Sequence, residues 1–101
     1  MSVPGLPLFS TQTVITATPA KVGATGQRRL MKVVLYPAAA NSTCEFKNGA
    51  TDTGDVLLTV STIANGPSGV VDLTDVGGLL FTTAIWCNVT GTGAIAYVWY
   101  D

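Results

Sequence analysis

The sequence predicts an all-β fold, an antiparallel, jelly-roll-like β-sandwich of about seven or eight short strands behind an extended N-terminal arm. Three observations carry that expectation. Runs rich in valine, isoleucine, threonine and aromatic residues recur along the chain, separated by clusters of glycine, proline, asparagine and aspartate that supply the backbone geometries turns demand. Helix signals are nearly absent, because no long stretch avoids glycine, proline and β-branched residues while placing apolar positions at helical spacing. Finally, 101 residues make one ordinary domain, and many short strands at regular spacing within one domain mean a sandwich or a small barrel.

The arm occupies residues 1–10 and the sandwich residues 11–101. Strands are expected at 11–17, 29–36, 43–47, 56–63, 69–73, 79–89 and 94–100, the longest breaking near Thr82-Thr83 to give an eighth. Ala38-Ala39-Ala40, between Pro37 and Asn41, reads as a connection, and Ala64-Asn65-Gly66-Pro67-Ser68 as the clearest turn. Thr90-Gly91-Thr92-Gly93 is expected to close a tight hairpin between the last two strands, its glycines taking positive φ angles.

Alternation within the strands says how each is covered. In Thr43-Cys44-Glu45-Phe46-Lys47 the pleat sends Cys44 and Phe46 to the core and Glu45 and Lys47 to water. The last strand breaks this rule, since Ile95, Tyr97 and Trp99 line one face, Ala96, Val98 and Tyr100 the other, and neither is polar. Trp86 likewise stands opposite Ile85, Cys87 and Val89. A thin sandwich cannot cover both faces of such strands by itself, so the second cover has to come from a loop, the arm or another subunit. The arm is itself apolar, carrying Val3, Leu6, Leu8 and Phe9 around prolines that favour extended backbone, and it is expected to dock on a neighbouring copy first or, as the alternative, in a groove of its own sandwich.

Composition points the same way. Only 11% of residues are charged and 48% are hydrophobic, a thin polar coat for a free monomer. The formal charge of −1 leaves no electrostatic footprint for nucleic acid or an anionic membrane. Lys21, Arg28, Arg29, Lys32 and Lys47 all precede Asp52, Asp55, Asp72, Asp75 and Asp101, so copies could meet basic side to acidic side. The opening residues lack the basic start of a secretory signal and no apolar run approaches a membrane span, so the chain is expected to be made and left in a cytoplasm.

Catalytic equipment is not evident, and no catalytic, cofactor-binding or metal-binding residues are assigned. Without histidine the commonest general base and metal ligand are missing. Most of the six carboxylates lie in or beside turns, where aspartate caps backbone. Thr51-Asp52-Thr53-Gly54-Asp55 lacks the ligand alternation of a calcium loop, and Gly23-Ala24-Thr25-Gly26-Gln27-Arg28-Arg29 lacks the ending of a phosphate loop. Cys44 and Cys87 fit neither a zinc nor a redox spacing; they read as buried thiols acting as small hydrophobes, with an interstrand disulfide as the alternative. An aromatic platform of Tyr36, Trp86, Tyr97, Trp99 and Tyr100 would suit a sugar, whereas aromatic residues in strands are mostly core or interface.

Five segments, taken together, resemble a known family. They are Arg29-Leu30-Met31-Lys32-Val33-Val34-Leu35, Phe46-Lys47-Asn48-Gly49, Val56-Leu57-Leu58, Gly78-Leu79-Leu80-Phe81 leading into Ala84-Ile85-Trp86, and the aromatic strand ending at Tyr100. Over residues 29–101 they are similar to small virion structural proteins of tailed bacteriophages. The resemblance implies a capsid decoration, or cement, subunit on the shell, partnered by the major capsid protein. It carries over no site residue. The surplus of apolar strand surface adds the expectation of a homo-oligomer, a trimer first, with Val3, Leu6, Leu8, Phe9, Trp86, Tyr97, Trp99 and Tyr100 as interface candidates. The competing classes are a head-to-tail joining or tail-fibre protein and a carbohydrate-binding module.

Overall fold

The computed structural model describes residues 11–16 and 19–101. Within them the chain forms nine strands: β1 (Thr11–Ile15), β2 (Ala20–Val22), β3 (Arg28–Tyr36), β4 (Ser42–Asn48), β5 (Asp55–Thr62), β6 (Gly69–Asp72), β7 (Leu79–Phe81), β8 (Ile85–Thr90) and β9 (Ile95–Tyr100). A single 3-10 turn, Thr74–Val76, separates β6 from β7. β2 is the strand that sequence patterning misses, because three residues between Pro19 and Gly23 are too few to display an alternation.

The strands divide into two antiparallel sheets. One has the order β1-β9-β3-β6, with β7 pairing the other end of β3, and the second the order β2-β8-β4-β5. The pairs β1–β9, β2–β8, β3–β6/β7 and β4–β5 are nested one inside the next, so the chain is a long two-stranded ribbon folded across itself. Two further pairings, β3–β9 and β4–β8, join the folded ribbon to itself and complete each sheet. This is jelly-roll connectivity, a double-sheet β-sandwich.

That connectivity corrects one expectation. The segment after Thr90 does not close a hairpin, because β8 and β9 lie in different sheets. Gly91 and Gly93 do take positive φ, and the Ala94 N–H donates to the Gly91 carbonyl across 3.1 Å, but the turn carries the chain from one layer to the other. The break at Thr82-Thr83 is the same kind of crossing, from β7 in one sheet to β8 in the other.

The core lies between the layers. Phe46, Phe81, Leu30, Leu35, Ile85, Val22, Val33 and Val98 are shut away from solvent, as are Cys44 and Cys87. Alternation places them: Cys44 and Phe46 point inward from β4, and Ala96 and Val98 from β9. Two bulges alter the phase. Met31 is the extra residue between Leu30, opposite Tyr100, and Lys32, opposite Trp99, so the inward residues of β3 are Leu30, then Val33 and Leu35. On β5 Leu57 has no partner between Leu58, opposite Phe46, and Val56, opposite Lys47. The bulge bends the free side of that strand and leaves Leu57 exposed.

Candidate interaction face

Exposed apolar side chains occur at several places, Val56 and Leu57 on β5, Ile63 and Val76 in connections and Leu80 on β7 among them, and the outer surface of the β1-β9-β3-β6 sheet gathers Val14, Tyr36 and Val70 on one face. Register puts Val14, Tyr97, Val34 and Val70 directly beside one another across all four strands, on the face away from the core. With strands about 4.8 Å apart, this row is a strip of roughly 15 Å. Its ends are open: Val14 is 49% exposed and Val70 58%. Tyr36, 47% exposed, pairs with Ile95 in the next row and meets Tyr97 edge-on, ring centroids 5.4 Å apart. No charged residue interrupts Val14, Tyr97, Val34, Val70, Tyr36 and Ile95. Such a cluster is a candidate contact surface.

The adjoining row is polar and closed. It runs Gln12, Trp99, Lys32, Asp72, with the Lys32 ammonium 5.4 Å from the Trp99 ring centroid. Asp72 accepts from the Thr74 backbone N–H at 3.0 Å and from its hydroxyl at 2.6 Å. These two bonds, helped by Lys32, hold its carboxyl below the usual carboxylate range. A folded-state pKa below the unfolded one stabilises the native chain at pH above the ordinary carboxylate value, and that contribution is lost as pH falls through the folded value. Asp72→Asn is therefore expected to flatten the acid side of the stability curve. Urea midpoints at pH 7 and pH 3 check this: the wild type should lose more between them than the variant, and equal losses would discard the assignment.

The second sheet presents a different outer face. Its rows are Lys21-Trp86-Lys47-Val56, Asn88-Glu45-Thr59 and Thr90-Thr43-Ser61. Lys47 is engaged by Asp52 at 2.7 Å, and the Thr43 and Thr90 hydroxyls bond each other. The Trp86 indole N–H is buried and has no acceptor among the described residues. With Lys32 facing Asp72 and Lys47 held by Asp52, two of the five cations meet an acid of their own chain, so charges of both signs are partly spent within one copy.

The structure thus separates the interface candidates. Tyr97 and Trp99 share the outer face of one sheet, while Trp86 lies on the opposite side of the sandwich. Tyr100 points inward, packing on the core beside Gly23 with the Arg28 guanidinium 5.9 Å from its ring. No single aromatic platform unites the five aromatic residues. Val3, Leu6, Leu8 and Phe9 lie outside the described residues. Sequence patterning overlooked Val14, Val34 and Val70 and weighed Tyr36 only for a sugar platform; these residues come together only through cross-strand register. Among the described residues no three His, Cys, Asp or Glu side chains converge as a metal site would require.

These features define a jelly-roll β-sandwich in which one outer face carries an uncharged row beside a polar one and the other mixes polar residues with Trp86 and Val56. Comparison with protein-family models, with curated proteins and with solved structures finds no match.

Proposed function

We propose that this chain is a non-enzymatic structural subunit of a tailed-bacteriophage virion, a capsid decoration or cement protein. It assembles as a homo-oligomer, a trimer first, and reinforces the shell by packing on the major capsid protein at the capsid surface. The observation that carries the proposal is the uncharged strip of Val14, Tyr97, Val34 and Val70 across the outer face of one sheet. A subunit with this role has to bury apolar surface against copies of itself and against the shell, and stable contacts of that kind take roughly 800 Å² from each partner. The strip, Tyr36 and Ile95 supply its apolar centre, and a chain with only 11% charged residues leaves little to oppose burial. Double-sheet jelly rolls are also common among viral capsid and lectin domains, a fold-level analogy and no more.

The test is association. Mass photometry of the purified protein is expected to give a trimer, and incubation with empty shells is expected to carry it into the shell pellet. A stable monomer that stays in the supernatant would remove the proposal. Fractionation of disrupted particles separates the neighbouring alternatives, since a joining or fibre protein follows tails and not heads.

A further inference from the structure

The two cysteines of the chain, 43 positions apart in sequence, come together in the core. Phe46 is opposite Cys87 and Cys44 is opposite Val89 on the adjacent strands β4 and β8, which makes Cys44 and Cys87 diagonal neighbours on one face. Both are reduced and fully buried, and their Sγ atoms are 3.1 Å apart. Small hydrophobes could fill this space as well, and two thiols in contact there can do one thing that two alanines or valines cannot.

We propose that Cys44 and Cys87 are a modification site, an intramolecular disulfide that joins β4 to β8 when the protein equilibrates with a disulfide oxidant such as oxidised glutathione. One cysteine thiolate attacks a sulfur of the oxidant, breaking its S–S bond and releasing one glutathione thiolate. The second cysteine thiolate then attacks the protein sulfur of that mixed disulfide, forming the Cys44–Cys87 bond and releasing the second glutathione. Two electrons pass from the protein to the oxidant, and the two thiol protons end on the two released glutathiones. The sulfurs need to close by only about 1 Å to reach a bond length of about 2.05 Å. The product ties the innermost hairpin of the ribbon, β4–β5, to the strand that also carries β2.

Burial sets the rate. The hydrogen bond shared with the Cys87 thiol and the loss of water both push the Cys44 thiol upward, so thiolate is scarce in the native state and reaction waits on opening of the sheet. Refolding in a mixture of reduced and oxidised glutathione removes that barrier and decides the outcome.

Intact mass is expected to fall by two hydrogens, with a proteolytic fragment linking Cys44 to Cys87, a monomeric band on a non-reducing gel, and return of the lost mass with dithiothreitol. The linked form is expected to melt at least about 5 °C above the reduced form, because the bond closes a long loop in the unfolded chain. Cys87→Ala refolded in the same mixture is expected to give no linked fragment. Glutathione adducts on both cysteines, free thiols that remain alkylatable, cross-linked dimers, or a linked form that melts below the reduced one would each overturn the proposal. None of these readouts depends on assembly or on shells.

Discussion

Replacing Phe46 with alanine is expected to destabilise the fold by about 3–5 kcal/mol, a large share of the roughly 5–15 kcal/mol that holds a domain of this kind together. Phe46 is fully buried at the centre of the second sheet, between Leu58 on β5 and Cys87 on β8. Its ring cannot be replaced by a local slide of β4, because the strand is paired on both sides and its outward Lys47 is tied to Asp52. A cavity therefore remains after truncation. Urea unfolding should show the midpoint falling with the slope unchanged, and the melting temperature should drop by at least about 12 °C. A loss under about 1 kcal/mol would mean that the ring is not the keystone its burial implies.

Placing lysine at both Val14 and Val70 is expected to abolish assembly while leaving a folded chain. Both side chains are about half exposed, at opposite ends of the apolar strip, so an isolated copy tolerates a charge at either with little change in stability. An interface does not. Two unpaired ammonium groups carried into an apolar contact weaken association by at least about 100-fold, or about 2.7 kcal/mol. Sedimentation should report a monomer with an unchanged near-ultraviolet spectrum, and pelleting with shells should disappear. If the double variant assembles and pellets as the wild type does, the strip is not the contact surface and the proposed role loses its support.

Much of the fold was legible because the pleat writes itself into short stretches. Thr43-Cys44-Glu45-Phe46-Lys47 sorts into core and solvent sides as its alternation implies, and the interruption at Thr82-Thr83 falls where the chain changes sheets. The turn around Asn65 is also legible, since that residue takes the positive φ that asparagine tolerates. Register was not legible. Met31 shifts the phase of β3 by one residue, and nothing in Leu30-Met31-Lys32-Val33 marks which residue bulges. The face formed by Val14, Val34, Tyr97 and Val70 draws one residue from each of four strands, so it is absent from any single stretch of sequence. Tyr100 and Trp99, adjacent and both aromatic, went to opposite sides of β9, and only the neighbouring strands decide which side is sheltered.

The nested ribbon has a consequence for the order in which the molecule can be made. Pairing runs from β4 against β5, a hairpin whose halves are a few residues apart, out to Thr11 against Tyr100, nearly the whole length of the chain. Closing that outermost pair costs the most loop entropy. Tyr97 occupies the last strand, between Val14 and Val34. A nascent chain on the ribosome therefore carries the apolar strip in separated pieces, and Val14 and Val34 have no neighbour between them until Tyr97 has emerged and β9 has paired.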